Sequence, residues 1–261
     1  MNIIEQELNV IKEYLENCVS TPFLEENLTT FLTKGAKFIR SSLAILYLKS
    51  QGKVIDENIY KILVAGELIH SASLLHDDVI DEADIRRGEI TIANKFCPTV
   101  SILAGDYLLS FAIEKILDLK KIEIIESFKD CTKKMTLAEL KQFFLRGTLP
   151  TENEYIEICQ GKTAELFSTI LKSVAFVAGL DDVNAKNFGQ IFGIVFQIKN
   201  DLEKDSALID KKNSINTAID ILGIEKTKIL LDNYKEEMSK LVRDFPENIY
   251  KNKLEDLINS L

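Results

Sequence analysis

Tryptophan is absent from this chain of 261 residues, and it has only 4 prolines and 11 glycines. Proline and glycine are the strongest local breakers of regular structure. Their scarcity argues against a many-stranded sheet and for long helices. The 4 cysteines, Cys18, Cys97, Cys131 and Cys159, are scattered without paired spacing, which speaks against a zinc site and a disulfide framework. Acidic residues outnumber basic ones, 41 to 32, for a net charge of −9, and no basic stripe of the kind that follows a nucleic-acid backbone is visible. No uninterrupted apolar run reaches the roughly 20 residues of a membrane span. The start, Met1-Asn2-Ile3-Ile4-Glu5-Gln6, lacks the basic and apolar regions of a signal peptide. The expectation is a soluble, cytoplasmic protein with no transmembrane segment and no nucleic-acid partner. What is present is 46% hydrophobic and 28% charged, enough for a sizeable core.

The apolar periodicity predicts helices throughout. The first covers about residues 2–18 and ends near Thr21-Pro22, and another begins after Gly35. A long one fits 57–80, where Ile59, Ile62, Leu63, Gly66, Ile69, Ser73 and Leu74 follow helical spacing. Pro98 opens a helix over 99–118, and an amphipathic stretch over 121–146 stops at Gly147. Thr151 and Glu154 have the spacing of a capping box, opening a helix that can run to Gly179. Asp181 or Asp182 caps the next, to about residue 205; 206–216 is polar, and two amphipathic helices fit 224–243 and 247–260. No alternating strand is convincing. The architecture read from the residues is an all-α bundle of more than four helices.

The chemistry concentrates at Leu74-Leu75-His76-Asp77-Asp78-Val79-Ile80-Asp81. Asp77 and Asp81 lie one turn apart on a helix, and Asp78 is three residues from Asp81. Like charges so crowded call for a cation, and one or two carboxylates with water and phosphate are the usual way to hold Mg²⁺. An isolated triad of this kind is commonly a solvated helix face. Here an apolar approach precedes it and Arg86-Arg87-Gly88 follows, which suits an anion such as a diphosphate held between metal and arginine. A second candidate stripe runs through Gln197, Asn200, Asp201 and Lys204, with Asp205 at its edge. Lys162 and Thr163 interrupt an otherwise apolar helix, and Lys37 and Arg40 are three residues apart at a helix start. Each suits phosphate, and each also suits an ordinary solvated face.

In this order, these segments resemble the trans-polyprenyl diphosphate synthases of the long-chain type, from about Gly35 to Asp205 and more weakly through Leu222-Gly223-Ile224-Glu225. Glu67-Leu68-Ile69-His70-Ser71-Ala72-Ser73-Leu74-Leu75-His76-Asp77-Asp78-Val79-Ile80-Asp81 is close to the family's first aspartate-rich motif, and Gly105-Asp106-Tyr107-Leu108-Leu109 matches another of its signatures. The resemblance implies a single polyprenyl synthase domain over 1–261, an all-α bundle around a central cavity, as a homodimer. It implies a prenyltransferase condensing isopentenyl diphosphate with an allylic diphosphate. Asp77 and Asp81 would hold Mg²⁺, with Asp78 supporting and Asp201 as a further ligand. Arg86 would bind the allylic diphosphate, and Lys37, Arg40, His70 and Arg87 the isopentenyl diphosphate. Lys162, Thr163 and Gln197 would be the catalytic residues, facing the allylic carbons and diphosphate. The small residues Ala72 and Ser73, just before Asp77, favour a long product, with a quinone side chain as its use.

The family's second motif, Asp-Asp-x-x-Asp, reads Asn200, Asp201 and Lys204 here. Two of three carboxylates are replaced, which weakens the attraction for a third Mg²⁺. Asp205 is placed to compensate in part, and Lys211 or Lys212 stands near the position of a lysine usual in the family. Three readings follow: a working synthase with a weakened third metal site, a non-catalytic partner subunit of a heteromeric synthase, or a different chemistry on the same fold.

Overall fold

The structure is a computed structural model that describes residues 3–19, 23–203 and 214–261. Thr21, Pro22, Lys204, Asp205, Lys211 and Lys212 lie outside the described residues. The chain forms two compact units, one of residues 1–45 and 55–125, the other of residues 46–54 and 126–261.

The first unit contains α1 (Glu5–Cys18), α2 (Glu25–Thr33), the start of α3 (Ile39–Ser50), α4 (Glu57–Ile80), a hairpin of β1 (Ile85–Arg86) and β2 (Glu89–Ile90), α5 (Ile92–Lys95) and α6 (Pro98–Leu117). Helix α4 begins where Asp56 accepts a hydrogen bond from the Ile59 amide at 2.9 Å, a cap worth about 1 kcal/mol. It buries Ile62, Leu63, Val64, Ala65, Leu68 and Leu75 and packs on α6. Ser101 of α6 donates to the Leu75 carbonyl at 2.8 Å. At Gly105 an added Cβ would lie 2.3 Å from His76 Nε2, so a larger residue there would displace the His76 ring. Helix α4 ends at Asp81, and Glu82 turns the chain at φ +48°.

The hairpin pairs Ile85 with Ile90 and Arg86 with Glu89. Its two-residue loop, Arg87 and Gly88, has φ of +52° and +79°. Positive φ at both central residues is the turn whose twist matches that of flanking antiparallel strands. A two-residue strand has no alternation to read, so the hairpin was not expected from the sequence.

The second unit contains the end of α3, most of α7 (Ile122–Phe144), α8 (Glu152–Cys159), a π-helical turn (Gln160–Ala164), α9 (Glu165–Ala178), α10 (Asp182–Leu202), α11 (Ala218–Leu222), α12 (Ile224–Val242) and α13 (Ile249–Ser260). The expected capping box at Thr151 and Glu154 is present. The helix it opens does not run unbroken to Gly179, because the π turn interrupts it. Helix α9 closes on Gly179 at φ +66°, with Leu180 N–H bonded to the Ala175 carbonyl and Gly179 N–H to that of Phe176. This is the Schellman pattern that glycine makes accessible. Asp181 caps α10 through the amides of Val183 and Asn184. Phe167, Phe188 and Phe192 are fully buried, each stabilising by roughly 1.5–3 kcal/mol relative to exposure. Gly193 brings α10 onto the π turn, where an added Cβ would lie 2.3 Å from Ala164 Cα.

Candidate functional site

The first unit gathers acidic and basic groups around the end of α4. Asp77 and Asp81 are half-buried, one turn apart, and the Asp81 amide bonds to the Asp77 carbonyl. Asp78 differs from its neighbours. It is 0% exposed, and its Oδ1 accepts from Arg86 Nε at 2.6 Å. Its Oδ2 is buried without a hydrogen-bond partner among the described residues. Burial pushes its carboxyl above the ordinary range, and Arg86 draws it partly back. The three carboxylates therefore do not share one face. Successive residues on a helix are about 100° apart, so when Asp77 and Asp81 face outward, Asp78 is turned into the protein.

Arg87 follows on the hairpin loop. Its Nη1 donates to the Phe31 carbonyl at 3.3 Å, and its stem lies against Gly35, where a Cβ would meet Arg87 Cβ at 3.4 Å. Lys37 is exposed and Arg40 half-buried at the start of α3. Beneath them sits Glu67, 5% exposed. Its Oε1 accepts from the Ser41 amide at 3.2 Å and the Ser41 hydroxyl at 2.6 Å. Burial raises the Glu67 carboxyl, while Ser41, Arg40 and Arg87 pull the other way. His70 is held well below its usual pKa by burial, then by Arg40, Arg87 and Arg86, so its imidazole is neutral at pH 7. Glu67 was not singled out from the sequence, although a lone carboxylate between Gly66 and Leu68 on an apolar helix was the available signal.

The second unit holds the other candidates. Lys162 and Thr163 lie on the π turn, an irregularity often found at functional sites. Lys162 Nζ is 2.6 Å from Glu139 Oε2 and donates to Gln142 Oε1 at 2.6 Å. Neither partner was anticipated, because both sit in what reads as an ordinary amphipathic helix. Thr163 donates to Gln197 Oε1 at 2.9 Å, and Gln197 Nε2 donates to Asp201 Oδ1 at 2.8 Å. Asp201 Oδ2 accepts from the Tyr155 hydroxyl and the Ala218 amide, both at 2.8 Å. Burial raises the Asp201 carboxyl against the pull of these three hydrogen bonds.

Among the described residues no group of three or more His, Cys, Asp or Glu is gathered as for a metal held by protein alone. The outward pair Asp77 and Asp81 nevertheless fits Mg²⁺, which takes one or two carboxylates and leaves its other positions to water and phosphate.

The architecture, helical apart from one short hairpin, is that of the isoprenoid synthase class. An Isoprenoid Synthase family member from Thermotoga neapolitana superposes with a TM-score of 0.85 at 27% identity, over 98% of each chain. Heptaprenyl Diphosphate Synthase from Staphylococcus aureus superposes with a TM-score of 0.91 at 24% identity, over 98% of this chain and 97% of that one. The chain belongs to the Polyprenyl synthetase family, whose match spans residues 21–253. The Octaprenyl diphosphate synthase of Haemophilus influenzae is 33% identical over 177 residues, 66% of this chain and 54% of that protein. The chain thus spans about half the length of the curated relatives it matches.

Proposed function

We propose that the protein is a trans-prenyltransferase that condenses isopentenyl diphosphate with an allylic diphosphate to make a medium- to long-chain all-trans polyprenyl diphosphate. The observation that carries this is the end of α4, where Asp77 and Asp81 face outward while buried Asp78 holds Arg86 at 2.6 Å, on a chain of the Polyprenyl synthetase family. The long product is supported by the octaprenyl relative and by small Ala72 and Ser73 before the motif. We read residues 1–261 as one polyprenyl synthase domain and a homodimer, supplying a quinone side chain in the cytoplasm. Among the described residues no helix is long and apolar enough to cross a membrane.

Asp77 and Asp81 would hold Mg²⁺, which would supply positive charge to offset the negative charge of the allylic diphosphate. Arg86, aimed by Asp78, takes part of the charge growing on the leaving oxygen. Arg40 and Arg87, with Glu67 beneath them, and exposed Lys37 bind isopentenyl diphosphate. Neutral His70 offers a hydrogen bond there without adding charge. We assign Lys162, which meets Glu139 and Gln142 here, a phosphate-binding role, and the oxygens of Thr163 and Gln197 the steadying of an allylic cation. The isopentenyl double bond then attacks this cation. A new carbon–carbon bond forms, and the proton lost goes to the released diphosphate.

The test is incorporation of labelled isopentenyl diphosphate by the purified chain with farnesyl diphosphate and Mg²⁺, with products separated by length. A ladder ending in one discrete long product supports the reading, and Asn200→Asp should raise its rate by strengthening the third metal position. A specific observation favours a second reading: Asn200 and Lys204 replace two carboxylates, as a non-catalytic partner subunit in a heteromer could tolerate. Activity that appears only on mixing with an intact synthase would select it.

A further inference from the structure

We propose that Asp201 is a positioning residue that sets the direction of hydrogen bonding through Gln197 to Thr163, and is not a metal ligand. The inference rests on the assignment of Gln197 and Thr163 to the allylic cation. It begins with the hydrogen bonds of Asp201. The residue is 3% exposed, and both its oxygens already accept, Oδ1 from Gln197 Nε2 and Oδ2 from Tyr155 and the Ala218 amide. A metal at Oδ2 would displace the hydrogen bonds that join α10 to α8 and α11, and one at Oδ1 would compete with Gln197 within α10. All three neighbours present N–H or O–H to Asp201, which suits an ionised carboxylate that accepts only.

That one-way acceptor propagates. An inverted Gln197 amide would set Oε1 against Asp201 Oδ1 at 2.8 Å, two acceptors in repulsive contact. Gln197 must therefore give Nε2 to Asp201 and Oε1 to Thr163. Thr163 then spends its single O–H on Gln197 at 2.9 Å. Its remaining lone pairs are all it offers to anything else. A carbocation is stabilised by lone pairs and repelled by the positive end of an O–H dipole, so this polarity is the one the reaction needs.

Asp201→Asn tests the idea without changing shape. Tyr155 and Ala218 still require an acceptor, so the asparagine oxygen takes their side and its amide faces Gln197. Gln197 must invert, donate to Thr163 and release the Thr163 O–H outward. The expected result for D201N is a folded protein with kcat reduced about tenfold to a hundredfold, and with KM for both diphosphates and the Mg²⁺ concentration for half-maximal rate unchanged. Adding Gln197→Glu restores an acceptor for Thr163, so D201N/Q197E should recover most of the lost kcat, which a generally damaged fold would not do. Mn²⁺ binding in the presence of an allylic thiodiphosphate, followed by electron paramagnetic resonance, should be equal in the wild type and D201N. A tenfold weaker Mn²⁺ affinity in D201N, or kcat recovered by excess Mg²⁺, would make Asp201 a ligand and overturn the proposal. So would a D201N kcat within twofold of the wild type. An inactive wild type refutes the proposed function instead, and the Mn²⁺ comparison still decides whether Asp201 binds metal. Should D201N not fold, Thr163→Val carries the test. Its kcat should fall at unchanged Mg²⁺ dependence, and a wild-type kcat would overturn the proposal.

Discussion

Gly193→Ala adds one methyl group at the closest approach of α10 to the π turn. Its Cβ would lie 2.3 Å from Ala164 Cα, 2.6 Å from Ala164 Cβ and 3.1 Å from Ala164 N. Carbon atoms in favourable contact stand about 3.5–4.0 Å apart, so the two backbones must separate by more than about 1 Å. No rotamer relieves this, because two of the three atoms are main chain. Overpacking of this kind costs about 1–3 kcal/mol or more, and alanine's better helix propensity returns up to about 1 kcal/mol. The net expectation is a loss of about 2 kcal/mol, read from the shift of the urea midpoint at constant m.

The same displacement reaches the chemistry. Ala164 follows Thr163 directly, and Gln197 stands one turn beyond Gly193 on the same face of α10. Moving the two elements apart by 1 Å opens the 2.9 Å hydrogen bond between Thr163 and Gln197. Misplacement on that scale can lower kcat about a hundredfold. The double variant A164G/G193A should recover little, since the nearest atom is Ala164 Cα, which glycine retains. A variant within 0.5 kcal/mol of the wild type, the range of neutral surface changes, would refute the steric reasoning.

Two further outcomes follow from the first unit. His70 has a folded pKa below its unfolded value of about 6.5, so unfolding takes up a proton as pH falls below 6.5. Its contribution to stability is present above that pH and is lost toward the folded pKa, by up to about 1.4 kcal/mol per pH unit. Glu67 and Asp78, both raised, slope the opposite way in wild type and variant alike. Subtracting the urea-derived profile of His70→Asn from that of the wild type between pH 7 and 5 should isolate the histidine term, and parallel profiles would count against it. Arg86→Ala strands a buried carboxylate, with an expected loss of about 3 kcal/mol at pH 7. Arg86 is itself partly exposed, so this sits at the low end of such losses. The loss should shrink at pH 5 as Asp78 takes up a proton, and D78N/R86A should recover most of it. Strict additivity of the two substitutions in urea denaturation would show that they do not act as a pair.

Legibility followed the length of each physical signal. Helix α4 was expected over 57–80 and occupies Glu57–Ile80, because several turns of apolar spacing carry the signal. Helix α6, expected over 99–118, is Pro98–Leu117, with proline at its first turn. Helices α2, α5 and α11 went unread, since 9, 4 and 5 residues hold too few turns to show a period. The π turn leaves no periodic mark, although Lys162 and Thr163 within it stood out as polar interruptions. Glu139, Gln142 and Tyr155 were invisible for another reason. Their partners are 23, 20 and 46 residues distant in sequence, and nothing local distinguishes a surface glutamate from one facing a lysine.

The aspartate motifs show how a sequence pattern hides the orientation of its members. Adjacent residues on a helix diverge by about 100°, so a helix with one buried face cannot turn two neighbouring carboxylates outward as readily as a pair four apart. On α4, Asp77 and Asp81 are half-buried and Asp78 is inward; on α10, Asn200 is half-buried and Asp201 is inward. The inward member then needs compensation on its own terms. Asp78 takes a guanidinium and Asp201 takes three hydrogen bonds, and in each unit the compensating group is tied to a residue assigned to the chemistry, Arg86 or Gln197. An acidic side chain inside such a motif can therefore be retained for what it aims, and Asn200 and Lys204 can depart from the pattern while Asp201 stays.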